Sequence, residues 1–132
     1  MSPPPRTITI QPDRLAVCRL DPDAPLPAWL FHAESHFLSL TRTSEETSIV
    51  CPEDDLPPSL TKTERGWRAL KLEGPIPFDE TGVLVGLASP LAAARIPLFA
   101  LSTFDTDYLL VRERDLARAR EALGTHYLVR EA

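Results

Sequence analysis

Residues Phe78–Val111, FDETGVLVGLASPLAAARIPLFALSTFDTDYLLV, decide the fold, because they join a glycine turn, an apolar helix and two strands. Gly82 stands where a strand hands over to a helix, and the absence of a side chain lets a backbone or a ligand come close there. Leu84, Leu87, Leu91 and Ala94 recur at helical spacing behind it. Pro90 lies within that run and predicts a kink or a break near Ser89, since it removes one helical hydrogen bond. Pro97–Phe104 then reads as a buried strand, Asp105-Thr106-Asp107 as a turn, and Tyr108–Val111 as the returning strand. The Gly82 turn and the Thr103–Asp107 loop are therefore expected to meet.

Downstream, Glu113–Leu123 is an alanine-rich amphipathic helix stopped by Gly124, with Leu116, Ala119 and Leu123 inside. His126–Val129 returns as an edge strand. With Trp67–Leu72 as the opening strand, this half of the chain reads as βαββαβ. Two helices must then cover one face of an antiparallel sheet, an α+β, ferredoxin-like arrangement.

The first half repeats the theme. Residues 1–6 are proline-rich and are expected to be mobile. Thr7–Ile10 and Arg14–Leu20 read as two strands around a turn at Gln11-Pro12-Asp13. Pro22, Pro25 and Pro27 leave room for only a brief helix near Ala28–His32. Phe37–Thr41 and Thr47–Cys51 are strands joined across Thr43–Glu46. A shift of sixty positions lays Thr43 on Thr103, Glu45 on Asp105, Ile49 on Leu109, Glu53 on Glu113, Asp55 on Asp115 and Leu56 on Leu116 without a gap. Such self-similarity implies two copies of one unit, with lobes at 1–60 and 61–132. The copies differ where chemistry is expected: the first has a proline-rich loop in place of the Gly82 turn and Thr47 in place of Asp107. A site built from amides and a carboxylate would survive only in the second lobe.

Composition narrows the function. The chain has 132 residues, 43% hydrophobic and 25% charged, which fits a soluble globular protein. Its 14 basic and 19 acidic residues leave a net charge of −5, which argues against nucleic acid as a partner. No apolar run approaches the length of a membrane span, and Met1–Arg6 lacks the apolar core of a signal peptide, so a cytoplasmic protein without a membrane partner is expected. Cys18 and Cys51 have no metal-ligand spacing and read as buried reduced thiols. His32 and His36 sit four apart, but no acidic or cysteine partner accompanies them, so no metal site is expected. Asp79, Glu80, Asp105 and Asp107 lack a nucleophile, a histidine partner or a phosphate loop, which argues against an enzyme and against a cofactor. The arginines at 112, 114, 118 and 120 alternate with acidic residues and read as a solvated helix face.

Asp79-x-x-Gly82-x-Leu84, followed by a helix of small residues and a strand, resembles the start of an ACT domain, the amino-acid-binding module of many regulated enzymes. Ile96–Val111, with Ser102-Thr103-Phe104-x-x-Asp107 as its most specific part, is similar to the stand-alone tandem ACT proteins related to the CASTOR-type cytosolic arginine sensors. The resemblance spans most of the chain and implies two ACT-like lobes. It implies a ligand held by Glu80, Thr81, Gly82, Val83 and Leu84 on the turn and by Thr103, Phe104 and Asp107 on the loop. It further implies a homodimer through the second lobe, with the ligand where two such units meet and an unidentified downstream protein. A free amino acid is a zwitterion, so its pocket needs donors for a carboxylate and an acceptor for an ammonium. Amides at the Gly82 helix start offer the first, and Asp107 or Glu80 the second. A basic ligand could instead set its side chain on Asp107. The alternative is a ligand-independent interaction module that pairs through the apolar helix or a strand edge.

Overall fold

The computed structural model describes residues 4–31 and 36–132. The chain forms two compact units, one made of residues up to Pro12 together with Arg68–Ala132, the other of Asp13–Trp67.

The larger unit contains the first half of strand β1 (Thr7–Leu20), the second half of β4 (Thr63–Leu72), helix α1 (Val83–Ala93), β5 (Leu98–Ser102), β6 (Asp107–Arg112), a 3₁₀ turn (Glu113–Asp115) leading into α2 (Leu116–Leu123), and β7 (Leu128–Glu131). Its strands lie in the order β7-β1-β4-β6-β5. Alternation along the strands sends Ile8, Ile10, Leu70, Leu72, Leu109 and Val111 to one face, where they pack with Leu87 and Leu91 of α1 and Ala119 and Leu123 of α2. Both helices thus share one side of the sheet, the ferredoxin-like layering expected from the residues. Full burial of side chains such as Leu91 and Leu123, both at 0% exposure, contributes about 1.5–3 kcal/mol each.

Three local expectations are corrected. Gln11-Pro12-Asp13 does not turn, because β1 runs unbroken from Thr7 to Leu20. Thr7–Ile10 pairs in parallel with Leu128–Glu131, whereas Leu15–Leu20 pairs antiparallel with β3, so Pro12 falls between two partners where its missing N–H is not needed. The larger unit is consequently a five-stranded sheet in which β1 separates β7 from β4, instead of a bare βαββαβ. Arg6 is also no part of a loose tail: its carbonyl accepts the Leu128 N–H at 2.9 Å, and the next carbonyl, of Thr7, accepts the Glu73 N–H at 2.8 Å. Finally, α1 passes through Pro90 without splitting. The Ser89 hydroxyl bonds back to the Val85 carbonyl at 2.7 Å, and Ala94 N–H reaches the Pro90 carbonyl at 3.1 Å, so the ladder resumes within one turn.

The smaller unit contains the rest of β1 and β4, a 3₁₀ turn at Ala28–Leu30, β2 (Ser39–Arg42), β3 (Thr47–Pro52) and a second 3₁₀ turn at Glu53–Asp55. The three prolines before Ala28 confine the expected helix to that single turn, and His32 lies outside the described residues. Ala16, Cys18, Leu30, Ile49, Cys51 and Leu56 form its core. Both thiols are free, and burial pushes them up, Cys51 to about 12, so they stay protonated at neutral pH. Among the described residues no helix is long and apolar enough to cross a membrane, and no group of three or more His, Cys, Asp or Glu residues could hold a metal ion.

Candidate functional site

Gly82 caps α1 with φ 78° and ψ 2°, a left-handed conformation that most side chains avoid. The first helical bond, Gly86 N–H to the Gly82 carbonyl at 2.9 Å, leaves the amides of the preceding turn without helical acceptors. Opposite stands the β5–β6 hairpin. Thr103 and Thr106 close it: Thr103 N–H donates to the Thr106 carbonyl at 2.8 Å, and the Thr103 hydroxyl accepts the Thr106 N–H at 3.3 Å. The buried Thr106 hydroxyl donates to the Leu72 carbonyl at 2.6 Å and ties the hairpin to β4. A second tie fixes the segment leading to the Gly82 turn, since Ile76 N–H reaches the Asp105 carbonyl at 2.7 Å. That approach needs Gly74, where an added Cβ would stand 2.8 Å from the same carbonyl oxygen.

These ties set the turn and the hairpin across a cleft of about 300 Å³. Seven of the eight residues expected at the site line it: Glu80, Gly82, Val83, Leu84, Thr103, Phe104 and Asp107. The eighth, Thr81, lines an adjoining cleft of about 180 Å³ that shares Glu80, Gly82 and Val83 and adds Arg6 and Tyr127. Asp107, expected in the loop, is instead the first residue of β6, where strand register faces it with Ser102. The Ser102 hydroxyl donates to its carboxylate at 2.6 Å. Glu80 forms an ion pair with the Arg6 guanidinium.

Several lining residues escaped the sequence reading. Ser102 was legible in principle, because a hairpin closed by Thr103 and Thr106 must pair positions 102 and 107. Phe78 was not: it meets Phe104 edge to face, centroids 5.0 Å apart at 83°, and the rings stay 76% and 80% exposed. With Val85, at 68% exposure, these rings give the cleft mouth an apolar rim. Arg6 was hidden by its distance along the chain.

The smaller unit carries the same hairpin sixty residues earlier. Thr43 N–H donates to the Glu46 carbonyl at 2.9 Å, and the Thr43 hydroxyl accepts the Glu46 N–H at 3.2 Å. Arg42 and Thr47 occupy the register places of Ser102 and Asp107. There the guanidinium of Arg42 donates to the Thr47 hydroxyl at 2.9 Å and to the Ala24 carbonyl. The space between hairpin and preceding loop is thus bridged by the chain's own cation.

An ACT-domain family model matches residues 62–125, and a model of an N-terminal domain matches residues 13–63. A solved protein from Agrobacterium tumefaciens is 35% identical, with a TM-score of 0.88 over 98% of this chain and 96% of that one. The chain belongs to the ACT-domain family. The human protein CASTOR3P is 31% identical over 105 residues, covering 70% of this chain and 64% of its own length. The bovine cytosolic arginine sensor for mTORC1 subunit 1 is 33% identical over 105 residues, 72% of this chain but 30% of the sensor. This ACT protein therefore spans between about a third and two thirds of these curated relatives.

Proposed function

We propose that this ACT protein is a non-catalytic, cytoplasmic regulatory sensor that binds a free amino acid in the cleft between the Gly82 turn and the Asp107 hairpin. The observation that carries the reading is the convergence of seven of the eight family-pattern residues on one cleft. The lining suits a zwitterion, offering amide donors on the turn side and the carboxylates of Glu80 and Asp107 as acceptors.

The contrast with the smaller unit supports a cationic ligand group on Asp107. Where Arg42 fills the equivalent space in that unit, Ser102 and Asp107 leave it open and place a carboxylate at its edge. The names of the relatives point the same way, so L-arginine is the first ligand to test. The exposed rim of Phe78, Val85 and Phe104 supports a homodimer in which a second copy covers the mouth of the cleft. Ligand touching both copies would favour one dimer geometry, which a downstream protein could read.

The test is thermal unfolding against a panel of the common amino acids. A ligand that binds only the folded state adds about 2.7 kcal/mol at a hundred times its Kd, a rise of several degrees in Tm. A selective rise is expected with a basic amino acid. No rise with any member of the panel overturns the reading and leaves the ligand-independent interaction module.

A further inference from the structure

We infer that Arg6 and Glu80 together read the α-amino acid backbone of the ligand, the Arg6 guanidinium taking its carboxylate and Glu80 its ammonium. The inference rests on the ligand site proposed above and adds a residue to it from the opposite end of the chain.

Arg6 is held where it can act. Its carbonyl is bonded to Leu128 and that of Thr7 to Glu73, so the guanidinium is carried by backbone fixed on both sides. It lines the smaller cleft together with Thr81, Gly82 and Tyr127. The Tyr127 hydroxyl would stand 3.1 Å from a Cβ at Gly86, which places it over the first turns of α1. Burial raises the pKa of Tyr127 by more than the nearby charge of Arg6 lowers it, so its hydroxyl keeps its proton and presents a donor to the same small space as the guanidinium.

Glu80 lines both clefts and is the partner of Arg6. A guanidinium has five N–H donors in a planar fork and no acceptor, so one carboxylate does not exhaust it. A zwitterion matches a split ion pair charge for charge. Its carboxylate replaces Glu80 on Arg6, the released Glu80 receives its ammonium, and a cationic side chain lies against Asp107. The site then offers one positive and two negative groups to a ligand with one negative and two positive groups. Neutral amino acids would leave Asp107 unmatched, and amines without a carboxylate would leave Arg6 unmatched.

The experiment is calorimetric titration of the full chain with L-arginine and with agmatine, its decarboxylated amine. The unaltered protein should prefer L-arginine by roughly tenfold to 150-fold, the usual worth of a charge-assisted carboxylate contact. In Arg6→Gln the affinity for L-arginine should fall by that factor while agmatine holds steady or tightens, so the preference vanishes. Arg6→Lys, which keeps the charge without the fork, should retain part of it. Unchanged or tighter L-arginine binding in Arg6→Gln overturns the inference and makes Arg6 a mere restraint on Glu80. Binding of both compounds that is insensitive to Asp107→Ala sinks the ligand site itself. So does an unaltered protein that binds neither, and the inference falls with it.

Discussion

Replacing Asp107 by alanine removes the carboxylate that faces the Gly82 turn while sparing the strand that carries it. Asp107 opens β6 and is half-buried, and its partner across the register is the exposed Ser102, whose hydroxyl donates to it at 2.6 Å. Freed of that acceptor, the Ser102 hydroxyl can turn to water, so the fold should lose no more than about 1 kcal/mol. The ligand should lose more. Two charges about 4 Å apart near a protein surface attract with about 4 kcal/mol before desolvation, and the net worth of hydrogen bonds to charged groups is about 1.5–3 kcal/mol. That range corresponds to roughly a tenfold to 150-fold rise in Kd for a ligand with a cationic group. Titration calorimetry gives the affinity, and urea unfolding of the same sample gives the stability. Asp107→Asn, which keeps the shape and an acceptor without the charge, should fall between. An unchanged Kd in Asp107→Ala would refute the assignment of the cation to this carboxylate. A loss of binding that merely tracks loss of folded protein would refute the claim that Asp107 is dispensable for the fold.

Two further outcomes follow from the backbone and the core. Gly82→Ala should destabilise the chain by about 1–2 kcal/mol, because φ 78° is costly for a residue with a Cβ, whereas nothing lies within 4 Å of the added methyl. A urea midpoint equal to that of the unaltered protein would show that the turn relaxes without a left-handed residue. Alkaline pH should destabilise the smaller unit's core. Cys51 is pushed up to about 12 from an ordinary value of 9.0, so above pH 9 the unfolded chain releases its proton first and stability falls through that window. Below pH 9 the thiol is protonated in both states and contributes no slope. Cys51→Ser should flatten the alkaline limb of a pH–stability profile, and an unchanged limb would assign it to other groups.

What was legible in the chain was local. The spacing of Leu87 and Leu91 predicts α1, and both residues are buried in the core it forms. The repeat at sixty residues predicts matching hairpins, and the Thr43 and Thr103 closures share two bonds: the threonine N–H to the carbonyl three residues on, and that residue's N–H back to the threonine hydroxyl. Seven of the eight expected site residues gather on one cleft because they belong to two short segments, each already shaped by its own turn. The apolar mouth was not legible, since Phe78 reads as an ordinary loop aromatic until Phe104 is placed against it.

The sequence by itself determined the periodicities, the turn residues and the acidic hairpin, because these depend on neighbours a few positions apart. Only the tertiary structure decided which strand each one joins. Pro12 reads as a turn until β7 and β3 are seen to divide β1 between them, which leaves the proline where no N–H is required. Arg6 reads as part of a loose end until pairing of Thr7–Ile10 with Leu128–Glu131 brings it to Glu80, seventy-four residues away. Long-range pairing carries little local signature: it depends on which buried faces find each other after the chain has closed a loop, and that choice is made by the core as a whole.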